Sequence, residues 1–97
     1  MLNEEIIGEI SEKEYTGKIK FFNENHEFGY IICDQDGSDV FFHYDDAKKL
    51  KLTKKFLWHA NDHHLLVFAF KTLDYLGKKG KCRKAVDLRI LLMKEIN

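Results

Sequence analysis

No proline occurs in the 97 residues, and there is no internal repeat or low-complexity tract. Nothing in the chain therefore reads as a proline-rich linker or a repeat array. Cysteine is scarce: Cys33 and Cys82 make neither a disulfide framework nor a metal-ligand spacing, so two free thiols in a reducing cytosol are expected. The longest purely apolar run, LLVFAF at 65–70, is six residues, against the ~20 that a membrane-spanning helix needs. No membrane partner is expected. The opening MLNEEIIGEISEKE lacks the basic and apolar regions of a signal peptide, which points to a cytoplasmic location. Net charge is zero, so no strong bias toward an anionic or cationic partner exists overall. The charge is unevenly spread, however. Residues 1–14 hold five Glu and one Lys, a balance of −4, and the rest of the chain carries +4. This sets an acidic leader before a mildly basic body, which favours an anionic partner only weakly.

What is present is a folded composition, 44% hydrophobic and 33% charged, of a size for one domain with one modest core. Strands are expected at Tyr15–Asn23, Phe28–Cys33 and Asp39–Tyr44, from runs of β-branched and aromatic residues. NENHE and DQDGSD separate them as short turns, the second carrying Asp36–Gly37. These three strands read as an antiparallel meander. Residues 45–64 are polar and irregular, with room for a helical turn. Two further strands are expected at Leu65–Thr72 and Arg83–Leu92, with a Gly/Lys loop, DYLGKKGKC, between them. Leu2, Ile6 and Ile10 have helical spacing, but Gly8 interrupts it, so the leader has no assigned structure. Five short strands need their edges paired, and a small barrel does that. The expected fold class is all-β, a five-stranded antiparallel Greek-key barrel spanning 15–97, with residues 1–14 as an acidic N-terminal extension.

Alternation sorts the side chains of these strands. Phe28 and Tyr30 share a face, and so do Asp39, Phe41 and His43; Ile31, Cys33, Val40 and Phe42 lie opposite. With the aliphatic side inward, the rings form an outward patch on neighbouring strands. Such a patch suits stacking on unpaired bases, with Lys18 and Lys20 placed to meet phosphates. It would equally serve to cover a barrel edge, and residue pattern alone leaves both open.

Three motifs in order, GKIKFFN (17–23), HEFGYI (26–31) and DVFFHY (39–44), resemble the cold-shock domain family, and KAVDL (84–88) resembles its last strand more faintly. They correspond to the family's G-K-V-K-W-F-N, K-G-F-G-F-I and D-V-F-V-H-F. Departures are Phe21 where the family has Trp, His26–Glu27 where it has Lys-Gly, and DDA after Tyr44. The resemblance implies an OB-fold barrel that binds single-stranded RNA or DNA and acts as an RNA chaperone or regulator of RNA structure. It implies binding roles for Lys18, Lys20, Phe21, His26, Phe28, Tyr30, Asp39, Phe41, His43 and Tyr44. Two of these conflict with alternation. Phe21 shares a parity with Ile19, so it reaches the ring face only if its strand bulges. Tyr44 likewise falls on the inward parity.

GKKGKCRK (77–84) adds Lys78, Lys79, Lys81 and Arg83 as candidate phosphate contacts; a solvated hairpin tip explains them equally. HANDHH (59–64) spaces His59 and His63 for one helix face, but lacks a convincing third ligand, and no metal is expected. Phe56 and Trp58 either anchor the long segment on the core, the favoured reading, or add a stacking ring. No catalytic arrangement appears, and neither an enzyme nor a cofactor is expected. The rival reading is a protein-interaction barrel whose ring patch is a dimer or partner interface. Lysines around the rings weigh against it, since interface centres are depleted in Lys. The chain is expected to be a monomer or weak homodimer.

Overall fold

The computed structural model describes residues 5–6, 8–77 and 80–95. Within them the strands are β1 (Glu5–Ile6), β2 (Tyr15–Asn23), β3 (Phe28–Cys33), β4 (Asp39–His43), β5 (His64–Gly77) and β6 (Gly80–Glu95). Helices α1 (Tyr44–Lys48), α2 (Lys54–Trp58) and α3 (Ala60–His63) lie between β4 and β5. Strands β2, β3 and β4 form the antiparallel meander, because short Asx-rich turns join them. Asn23 Oδ1 accepts the His26 amide at 3.0 Å in the first turn, and Gly37 takes a φ of 72° in the second.

Strand β5 pairs antiparallel with β2 on one side and β6 on the other. Strand β6 then reaches β4 through a parallel pairing at Phe41–Lys84. The order β1-β5-β2-β3-β4-β6, with β5 also paired to β6, closes strands β2 to β6 into a five-stranded barrel. The expected all-β OB-fold architecture is the one observed. Its interior includes the set that alternation turned inward, Ile31, Cys33, Val40 and Phe42, all fully buried, and β5 adds Phe68 and Phe70. Burying a side chain of that size contributes roughly 1.5–3 kcal/mol each.

Several element limits differ from the expectation. Strand β4 stops at His43, whose ring nitrogen Nδ1 accepts the Asp45 amide at 3.0 Å and so caps α1. Residues 44–63 hold three short helices, joined by a turn at 49–53 and by His59, that bury Ala47, Leu57 and Ala60. Strands β5 and β6 continue to the Gly77–Gly80 pair, so most of the expected Gly/Lys loop is strand. Gly80 has a φ of 103°, a conformation that lets the chain reverse sharply there. Register shifts opposite Val67–Phe68 and Ala69–Lys71, the second near Asp87 at φ 51°, curl the long hairpin around the barrel.

The leader lies along β5. Glu5 and Ile6 pair with Leu76 and Tyr75. Ser11 donates its amide to the Thr72 carbonyl at 2.8 Å, and its Oγ accepts the Thr72 amide at 2.9 Å. Leu2 and Ile7 lie outside the described residues. No helix among the described residues is long and apolar enough to cross a membrane.

Candidate nucleic-acid interface

The register between β2 and β3 shifts between Ile19 and Phe21, which makes Lys20 the extra residue of a bulge. One residue of shift reverses the parity after it. Ile19 and Phe22 are therefore buried while Phe21 turns outward, 45% exposed. The bulge resolves the conflict between alternation and resemblance at that position.

Cross-strand pairing then assembles the rings. Phe21 sits opposite Tyr30, Tyr30 opposite Phe41, and Phe28 opposite His43. Phe28 stacks on Phe41 at 5.6 Å, and Phe21 and Tyr30 are 5.5 Å apart. His26, at the β2–β3 turn, lies 6.4 Å from Phe28. Gly29 sits between Phe28 and Tyr30 because a Cβ there would come within 2.5 Å of the Phe21 carbonyl oxygen and 2.7 Å of the Phe42 ring. The strand can thus lie flat on the core only with glycine at that point. Tyr75, which the sequence reading left in a loop, joins the same cluster at 6.2 Å from Phe41. The signal that could have found it is Thr72-Leu73-Asp74-Tyr75-Leu76, a run of strand-forming residues that continues β5. Ile32 extends the ring face too: it is 41% exposed and sits between Lys18 and Asp39 in register.

Tyr44 stands apart from the cluster. It opens α1, its ring lies 6.1 Å from buried Phe22, and its hydroxyl donates to the Leu52 carbonyl at 3.1 Å. The helix start swings it off the sheet face. His43 remains on that face, and its Nδ1 acceptor role leaves the hydrogen on Nε2.

The cations are more committed than the sequence suggested. Lys20 pairs with Asp39 at 2.8 Å, Lys81 with Asp74 at 3.6 Å, and Arg83 with Asp36 at 2.9 Å. Arg83 also reaches Ser38 Oγ at 3.4 Å, so it ties the β3–β4 turn to β6. Hydrogen bonds from Ser38 and Arg83 hold the Asp36 carboxyl far below the usual carboxylate range. Asp36 in turn raises the pKa of Arg83. Lys18 is exposed, with no ion pair among the described residues, and Lys78 and Lys79 lie outside those residues. Glu27, at φ 60°, bonds Lys54 at 3.0 Å, and that contact lowers its pKa. Among the described residues no group of three or more His, Cys, Asp or Glu is arranged to hold a metal ion.

Residues 15–54 match the 'Cold-shock' DNA-binding domain family. Over that segment the chain is similar to the cold-shock domain family. Similar proteins include "Cold shock protein CspV" of Vibrio cholerae, 47% identical over 33 residues, which are 34% of this chain and 47% of that protein. "Cold shock-like protein CspA" of Shewanella violacea is 48% identical over 29 residues, 30% of this chain and 41% of that protein. The chain thus spans less than half the length of these relatives. The match covers the meander, α1 and the ring cluster on β2–β4, and it stops at the start of α2.

Proposed function

We propose that the chain binds single-stranded RNA or DNA, in the cytoplasm, with bases stacked on Phe21, Phe28, Tyr30, Phe41 and His43. The observation that carries this reading is the ring cluster itself. Five aromatic side chains, counting His43, lie on the outer faces of three adjacent strands of a cold-shock barrel, and all are partly exposed. A single strand offers free base faces to such a surface, whereas a duplex hides them. Phosphates meet Lys18 and, on displacement of Asp39, Lys20. Lys78, Lys79 and Lys81 are further candidates for the backbone; Arg83 contributes only if a phosphate displaces Asp36. Tyr44 supports the surface from behind. The consequence is RNA chaperoning, since holding the unpaired strand shifts the equilibrium away from the hairpin by mass action.

The test is an anisotropy titration of dye-labelled oligothymidine at two salt concentrations. Binding at low salt that weakens as salt rises is expected. No binding at low salt overturns the reading. A folded dimer in solution that fails to bind would favour the interaction-barrel alternative.

A further inference from the structure

Helix α2 carries an exposed tryptophan that the core does not use. Leu57 is the anchor of that helix, 1% exposed, and Phe56 leans on the core and on the His64 ring at 5.0 Å. Trp58 is left 56% exposed. Its ring rests on that of His59 at 4.4 Å, and His59 Nδ1 is 3.0 Å from Asp62 Oδ2. An exposed indole is costly to leave in water, and this one is braced rather than folded away.

Two adjoining open cavities of about 350 and 340 Å³ lie beside it, and Phe21, Phe22 and Trp58 line both. Lys20 lines the first, and Asn23 and Asn25 line the second. Phe21 is a ring of the β2–β4 cluster, so the groove begins where that cluster ends. A strand crossing the cluster and leaving past Phe21 meets Trp58 next.

We propose that Trp58 forms an additional stacking subsite for one unpaired nucleotide, in the groove between β2 and α2 beyond Phe21. The proposal rests on the single-strand reading above. Trp58 lies outside the 15–54 family match, so nothing in that match assigns it. The volume and the rings of Phe21 and Trp58 suit a stacked base; Asp62 and Glu24 also line the groove and Asp39 holds Lys20, so the subsite takes a base with its phosphate turned to solvent. The subsite lengthens the footprint on the strand rather than strengthening the existing stacks.

The experiment titrates the full chain with oligothymidines lengthened one nucleotide at a time, read by calorimetry, for the native chain, Trp58→Ala, Trp58→Phe and Phe28→Ala. Native affinity is expected to rise with length and then level off. Trp58→Ala should level off one nucleotide earlier, losing roughly tenfold on the long oligomers and nothing on the short ones. Trp58→Phe should recover most of that loss. Phe28→Ala should weaken binding at every length. Trp58 is the chain's one tryptophan, so its fluorescence in the native chain should be quenched only by oligomers long enough to reach it. If Trp58→Ala matches the native chain at all lengths, the subsite is refuted while strand binding stands. Equal loss on short and long oligomers also refutes it, by making Trp58 a support of the cluster. If no oligomer binds the native chain, the single-strand reading falls and the subsite with it.

Discussion

Phe28 and Phe41 are half-buried and stack on each other, which gives each a share in both binding and support. Phe28→Ala and Phe41→Ala should each weaken single-strand binding by about 1–3 kcal/mol, the range for one lost stack. Both variants should still fold, as circular dichroism would show; unfolding would make the ring a core residue. Ile31, fully buried, should behave the opposite way, with Ile31→Ala costing about 2–5 kcal/mol of stability in a denaturant melt. Charge at the rim gives a sharper test. Asp39 holds Lys20 at 2.8 Å, on the same outer row as Lys18 and Ile32. Asp39→Asn releases the ammonium to a phosphate and removes a repelling charge. Affinity at low salt should rise and the salt slope should steepen, by up to about 0.7 for one phosphate; an unchanged slope would keep Lys20 off the strand. Glu27 also opposes a phosphate backbone, and it occupies φ 60°, where a side chain is strained. The Lys54 contact offsets little of that strain, because exposed ion pairs are weak. Glu27→Gly should therefore melt higher and bind tighter; a lower melting temperature would show the Lys54 pair to be the stronger effect.

At the scale of elements, the meander was legible because period-two runs end at Asx- and Gly-containing turns that fix its register. Alternation could not reveal the Lys20 bulge, since a parity argument assumes no extra residue; the motif resemblance supplied it. The β5–β6 hairpin was underestimated for a different reason. Gly80 and Lys81 suggest an exposed loop, whereas an outward strand residue is equally exposed, as Lys81 is on β6. The helices escaped because five residues show too little periodicity. One contact between elements has a pH signature. Asp36 joins the β3–β4 turn to Arg83 of β6 and titrates far below its ordinary 3.8. A lowered acid contributes stability that is full above its unfolded pKa and is lost as pH falls through the folded one. The melting temperature should therefore fall as pH drops below about 4. Asp36→Asn should melt lower than the native chain at pH 7 and lose less on acidification. Parallel melting curves for the two at every pH would remove Asp36 from the acid response.

At the scale of the whole molecule, residues 1–14 have two opposed roles open to them. The leader carries −4 and could be drawn to the basic body as a competitor of phosphate. It could instead cap an edge. Apolar packing at Ile10 is not what holds it, because Ile10 is 48% exposed. Among the described residues the contacts that hold it are the backbone pairing of Glu5 and Ile6 with β5, the Ser11 amide on the Thr72 carbonyl, and the Thr72 amide on Ser11 Oγ. Arg89 adds a two-pronged contact to Glu14 at 2.6 and 3.0 Å, joining the leader's end to β6. Deleting the leader uncovers the β5 edge at Thr72 and at Tyr75–Leu76. Net hydrogen bonds contribute roughly 0.5–1.5 kcal/mol apiece, so a loss of about 1–3 kcal/mol is expected, or several degrees in melting temperature for a chain of this length. Tyr75 is itself buried against Phe41, so the cap also steadies one border of the ring cluster. A chain lacking residues 1–14 should thus melt lower, while its folded fraction binds oligothymidine about as well as the full chain at low and high salt. The competitor reading requires the reverse: unchanged melting, and tighter binding that is greatest at low salt. Calorimetric melts and titrations on the same two proteins separate the outcomes, and a truncated chain that melts like the full-length one defeats the cap.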